Sequence, residues 1–313
     1  MRALVQKGRI IMGKGHFYVI GNGFDLYIHG LPTSYGDYRK FIASGWRGSS
    51  IETILTPLKD FLENNFSFDE TWSDFEEQLG SFDYQEFLES NCPIDFDSER
   101  DNDITNAFYN RDDATYDLPN MAHDIINSLN DWIFSICISP SLKRDDLTFS
   151  PDDFFLTFNY TRTLENCYGI SPERISHIHG VADKRYTWQD MDRQKYVSDD
   201  SSVILGTGVF GEIETDDFIS AQEQLKEFQE LLTKRIQSLE ALRLDLARFD
   251  EIVIIGKGIS GVDEPYFSQL QSLFDISVPC TYQGVNQVDF NTLQNIMKGR
   301  KVTFQDAREI YDT

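Results

Sequence analysis

The chain has 313 residues, 40% of them hydrophobic, which is enough apolar material for a large core and excludes a disordered polymer. Its 28 lysines and arginines stand against 52 aspartates and glutamates, and the resulting charge of −24 repels nucleic-acid phosphates and anionic membranes. The four cysteines, Cys92, Cys137, Cys167 and Cys280, are spaced too widely for a zinc ribbon or a disulfide framework, so reduced thiols are expected.

No apolar run approaches the roughly 18 to 20 residues that cross a bilayer. Met1 to Lys14 carries basic residues without an apolar signal core, so no secretory signal and a cytoplasmic location are expected. The first strand-like run begins at Phe17. It ends in Tyr18-Val19-Ile20-Gly21-Asn22-Gly23-Phe24-Asp25, followed by His29-Gly30-Leu31-Pro32-Thr33-Ser34-Tyr35. A strand handing over through Gly-x-Gly to a new segment is the arrangement that receives a phosphate. The first Gly turns the chain, the second admits a ligand to the backbone, and helix N–H groups face the anion.

From Tyr35 to Leu62 apolar residues fall at helical spacing, interrupted by a turn at Gly45 to Ser50. In Trp72-Ser73-Asp74-Phe75-Glu76, Ser73 and Glu76 have the spacing of a capping box, with the wall of a ligand pocket as the functional alternative. Residues 90–118 are rich in acids, among them Asp95, Asp97, Glu99, Asp101, Asp103, Asp112 and Asp113. A calcium loop would need Gly where Arg100 stands and Glu where Asn106 stands, so a solvated surface loop is expected. A helix is predicted from Pro119 to Ile138. The stretch 36–149 therefore reads as a mainly helical insertion into a core formed by 1–35 and 150–313.

Phe154 to Thr157 reads as a buried strand ending at Phe158-Asn159-Tyr160-Thr161. Asn159 stands either where a ligand site forms or at the cap of the next helix, or both. Ile175 to Gly180 reads as another strand, with His177 and His179 on one face by alternation. No cysteine or acid cluster accompanies the two histidines, so no metal is expected, and a general base fits better. Two more apolar runs end in Gly-x-Gly: Val203 to Gly208, with Gly206, and Ile252 to Gly258, with Gly256 and Gly258. Between them, Phe218 to Phe249 has the spacing of one long helix, either packing along the body or joining two copies in a homo-oligomer. A last strand is expected near Ile276 to Tyr282, followed by a short helix or strand. Repeated Gly- or Asn-tipped strands between helices predict an α/β fold with a Rossmann-like parallel sheet whose loops gather at one edge.

Taken in order, these motifs, with Leu164-Glu165 and Ile255-Gly256-Lys257-Gly258…Asp263, resemble the AbiH family of bacterial abortive-infection proteins directed against phages. More distantly the same residues resemble the sirtuin-like NAD-binding fold. That resemblance implies NAD as substrate or ligand, with Asn159 and His179 acting on the nicotinamide ribose. It implies a nucleotide held by Gly21, Asn22, Gly23, Phe24, Asp25, Pro32, Thr33, Ser34, Gly206, Gly256, Gly258 and Asp263. The paired cysteines of the sirtuin zinc module have no counterpart, which points away from a deacylase and towards NAD hydrolysis on infection, with a phage-derived trigger as partner. Two other functions remain open at this point: a non-catalytic NAD or nucleotide sensor, and a metal-dependent nuclease, which the net charge opposes.

Overall fold

A computed structural model describes residues 14–44, 52–91, 93, 101–183, 203–206, 230–239, 246–259 and 263–311. Six strands form one sheet: β1 (Gly15–Ile20), β2 (Phe154–Thr157), β3 (Ile175–His177), β4 (Phe249–Ile255), β5 (Cys280–Gly284) and β6 (Val302–Asp306). Their order is β3-β2-β1-β4-β5-β6 and every neighbour runs parallel. This is the doubly wound Rossmann order, in which the chain reverses direction across the sheet between β1 and β4 and leaves a crevice beyond their C-terminal ends.

The continuous apolar runs explain the central strands, because a parallel sheet is buried on both faces. Phe17, Val19, Phe154, Leu156, Ile252 and Ile254 enter one core with α8 (Glu264–Leu273), α9 (Gln287–Ile296) and the helical residues 230–239, here α7. Tyr18, Ile20, Phe155, Val253 and Ile255 enter the opposite core with Leu164 of α6 (Thr163–Tyr168) and Tyr311 of α10 (Ala307–Tyr311). Between β1 and β2 the chain forms α1 (Tyr35–Ser44), α2 (Glu52–Asn65), α3 (Phe75–Gly80), α4 (Tyr84–Asn91) and α5 (Asp101–Ser135). These helices share a third core around Tyr38, Phe75, Leu129 and Trp132.

Several sequence expectations are corrected. Asp101, Asp103, Asp112 and Asp113 belong to helix α5, which runs through Pro119. Thr105, Asn106, Tyr109 and Asn110 are exposed on this helix, which accounts for polar residues there. Residues 203–205 form no strand; Ile204 instead donates its N–H to the His179 carbonyl at 2.9 Å. The long helix does not reach Phe249, which opens β4, and residues 218–229 lie outside the described residues. Leu231, Leu232 and Leu239 of α7 are buried against the sheet. Strand β5 starts at Cys280 and not at Ile276, which is 49% exposed in the preceding turn. The C-terminus holds a strand and a helix, β6 and α10.

Buried Arg300 ties β6 to the end of α8. It donates to the carbonyls of Phe274 (3.1 Å), Asp275 (2.9 Å) and Val278 (2.6 Å), and to Gln271 Oε1 (3.0 Å). A cation there also complements the negative end of the helix. Arg300→Met leaves the buried Phe274 carbonyl and the partly buried Gln271, Asp275 and Val278 acceptors without this donor. The expected cost is about 3 kcal/mol in urea unfolding, with Arg300→Lys recovering part of it. An unchanged midpoint for the Met variant contradicts this account.

Candidate functional site

The turns after β1 and β4 are built on each other. Gly21 donates its N–H to Ile255 O (3.0 Å), Gly23 to Gly256 O (2.7 Å), and Phe24 to Gly21 O (3.0 Å). A side chain on Gly23 would meet Gly256 O at 2.8 Å, and Gly256 adopts φ +61° with its Cα turned onto the Phe24 amide. These glycines therefore allow backbone to pack on backbone at the switch point. The amides of Gly21, Gly23 and Phe24 are occupied by carbonyls. The segment that follows is a five-residue π turn, Phe24–Ile28, and not a long helix aimed at an anion.

The tight junction brings two adjoining cavities to the C-terminal edge of the sheet. The inner one, of about 360 Å³, is lined by Asn22, Asp25, Thr33, Asn159, His179 and Asp263 of the predicted residues, and also by Tyr35, Glu76, Tyr160, Thr161 and Lys257. The outer one, of about 1060 Å³, takes Asn22, Gly23, Ser34, Gly256 and Gly258. Of the remaining predicted residues, Pro32 is exposed, Phe24 is buried with its ring 4.5 Å from that of His29, and neither lines a cavity. Gly21 and Gly206 line neither as well. Gly206 lies just behind the inner wall, donating its N–H to Glu76 Oε2 at 2.9 Å.

Asp25 is the most deeply placed carboxylate, with no exposed surface. Its Oδ2 accepts from Thr161 Oγ1 at 2.5 Å, and its Oδ1 has no partner. Burial pushes its pKa up to about 6, against the opposing effect of the Thr161 hydrogen bond and of the nearby Thr163 and Asn159 side chains. Asn159 is also buried with its amide oxygen unpartnered, and its N–H donates to Thr157 Oγ1 at 3.1 Å. It caps nothing, because α6 begins at Thr163 after Arg162. His179 Nε2 lies 3.1 Å from Tyr266 Oη, and its ring meets Phe158 edge-on. Burial, helped by the Lys257 ammonium, pushes His179 down to about 3, so the imidazole is neutral and weakly basic near pH 7.

His177 does not share that position. Strand β3 ends at His177, so alternation stops there, and its ring bridges Asn159 O (3.2 Å) and Glu165 Oε1 (3.1 Å). Ser73 and Glu76 form no capping box. The N-cap of α3 is Asp74, the Ser73 hydroxyl donates to Asp69, and Glu76 turns inward to accept from the Tyr35 hydroxyl. Trp72 supplies packing, at 3% exposure and stacked on Phe75, from a left-handed backbone of φ 55°.

Tyr35, Glu76, Tyr160, Thr161 and Lys257 went unassigned as site residues from sequence. All five fall within the motif stretches quoted above, and the signal for Glu76 was the pocket-wall alternative to the capping box. The five stretches that are far apart in the chain thus meet in one cleft. A family model described as bacteriophage abortive infection AbiH matches residues 17–282, from the middle of β1 to the middle of β5.

The chain belongs to the AbiH family. Membership implies a role in abortive infection by bacteriophage. No curated protein and no solved structure matches this AbiH chain, so neither comparison supports a sirtuin-like fold. Among the described residues of this AbiH protein no group of three or more His, Cys, Asp or Glu has the arrangement to hold a metal ion, and no helix is long and apolar enough to cross a membrane.

The charges along the AbiH cleft are unequal. The inner cavity carries the carboxylates of Asp25, Asp74, Glu76, Glu77 and Asp263 against the single ammonium of Lys257. The outer cavity carries Arg39, Lys40 and Lys257 against Glu70 and Asp289. Such a cleft suits a ligand with a cationic head and an anionic body.

Proposed function

We propose that this AbiH protein hydrolyses the nicotinamide–ribose bond of NAD. The observation that carries the reading is Asp25: a wholly buried carboxylate, its pKa raised towards neutrality, with one oxygen unpartnered in an acidic cavity. An oxidised nicotinamide ring is cationic, and cleavage passes through an oxocarbenium-like state, so both reactant and transition state gain from the inner carboxylates.

The C–N bond breaks with its electron pair going to the ring nitrogen, which leaves nicotinamide neutral. Water forms the new C–O bond at the ribose carbon and yields ADP-ribose. Its proton passes to Asp25, the stronger base of the two candidates, since a His179 held near 3 is a poor acceptor. In this reading Asn159 hydrogen-bonds a ribose hydroxyl through its free amide oxygen, and neutral His179 holds a second hydroxyl while braced by Tyr266.

The test is purified protein with NAD, following nicotinamide and ADP-ribose by chromatography. Wild type releases both. His179→Ala lowers kcat by about ten- to a hundredfold in protein that stays folded, at a lowered melting temperature. Equal NAD loss by a folded His179→Ala protein removes His179 from the site. Tight NAD binding without release, in wild type, replaces the hydrolase with the sensor.

A further inference from the structure

The two cavities share four lining residues: Asn22, Tyr35, Ser73 and Lys257. They form the waist between the acidic inner end and the more basic outer end. Asn22, Tyr35 and Ser73 already donate to Thr33 O, Glu76 and Asp69, and Lys257 is the one cation of the four. We infer that Lys257 is the anchor for the diphosphate bridge of a dinucleotide, with the reacting nucleoside inside the waist and the second nucleoside outside it. This assignment rests on the NAD reading for the identity of the reacting end, but the diphosphate contact stands on the waist alone.

The Lys257 ammonium is held in place. It donates to Asp263 Oδ1 at 2.6 Å and to Gly258 O at 3.1 Å, and it lies 4.7 Å from the centre of the Phe158 ring. An ammonium has three donors, and these bonds use two of them. Its side chain is 13% exposed and the partnering Asp263 side chain 6%, so screening by solvent is weak. Fixing the cation in advance lowers the cost of ordering it on a ligand.

The Gly-x-Gly turn does not compete for this role, because the amides of Gly21, Gly23 and Phe24 already serve carbonyls. Asn22, between the two glycines, keeps its side chain at the waist and donates from Nδ2 to Thr33 O at 2.7 Å. The outer cavity, of about 1060 Å³, has ample volume for a nucleoside. Arg39 and Lys40 also stand on its wall, with Lys40 paired to Asp37 at 2.8 Å and Arg39 4.0 Å from Glu63.

The experiment is calorimetric titration of the full chain with ADP and with adenosine, alongside NAD turnover. Wild type binds ADP at least about tenfold more tightly than adenosine. Lys257→Met abolishes that preference, and Lys257→Arg retains most of it. A Lys257→Met/Asp263→Asn double variant removes both charges together; it also loses the preference, which excludes a stranded Asp263 carboxylate as the cause. In turnover, Lys257→Met raises KM for NAD more than it lowers kcat.

Equal binding of ADP and adenosine by wild type overturns the assignment, as does an ADP preference that survives in folded Lys257→Met protein. ADP binding that depends on Lys257, without nicotinamide release from NAD, upholds the diphosphate anchor and defeats the hydrolase reading. Nicotinamide release with an ADP preference indifferent to Lys257 does the reverse.

Discussion

Asp25→Asn is expected to lower kcat for NAD hydrolysis about 10²- to 10⁴-fold, the usual contribution of a positioned general base. Shape and hydrogen-bond donors at the site are nearly preserved, so KM should change little. The pH profile of wild-type kcat/KM should rise with the ionisation of a group near 6, where burial places Asp25, and this limb should vanish in the variant. Activity of Asp25→Asn within about threefold of wild type would exclude Asp25 as the base.

The same substitution has an opposite effect on stability. Asp25 has its folded pKa raised from 3.8 to about 6, so the folded state holds its proton over a pH range in which the unfolded chain has lost it. Its contribution is therefore favourable at low pH and is lost as pH rises from about 4 to about 6. Asn carries no such penalty. Relative to wild type, Asp25→Asn should gain up to about 3 kcal/mol between pH 4 and pH 7, the linkage expected for a shift of about two pKa units. Urea unfolding at several pH values reads this directly. A variant that is both inactive and pH-independent in its stability difference would mean that the carboxylate is not buried as described. A wholly buried carboxylate at position 25 therefore costs stability at neutral pH.

Gly256→Ala should be the most damaging small substitution in the crevice. Gly256 has φ +61°, and a methyl group there would press on the Phe24 amide and the Gly23 backbone, which cannot swing aside. Strain and overpacking together predict a loss of about 2 to 5 kcal/mol in unfolding free energy. NAD turnover should fall as well, because β1 and β4 then separate where both cavities begin. Two residues on, Gly258 meets only Asp289 Oδ2 at 3.9 Å, so Gly258→Ala should stay within about 1 kcal/mol of wild type. Equal behaviour of the two variants would show that the backbone junction is not what the glycine at 256 is for.

Much of the parallel sheet could be read in advance because its signals are local. Val19-Ile20, Phe154-Phe155-Leu156 and Ile252 to Ile255 are unbroken apolar runs, which only strands buried on both faces require. Their polar and glycine tips then place Asn22, Asn159 and Lys257 at the same edge. The errors also have local causes. The acids before Pro119 read as a solvated loop with the helix starting at Pro119, but an exposed helical face is satisfied by polar residues, and a proline within a helix removes only one hydrogen bond. The run Val203-Ile204-Leu205 has a strand's composition. Composition reports burial, and these residues are buried without pairing in the sheet.

By itself the sequence carried the apolar runs of β1, β2 and β4 and the order of motifs that marks the family. It did so because apolar runs, turn geometry and motif order are written in neighbouring residues. The tertiary structure alone decided that β1 lies beside β4, that Gly23 and Gly256 serve each other, and that Glu76 accepts from the Tyr35 hydroxyl at the cavity wall. It also decided the protonation chemistry. Burial, which no stretch of sequence states, is what pushes the Asp25 carboxyl up to about 6 and, with Lys257 beside it, His179 down to about 3.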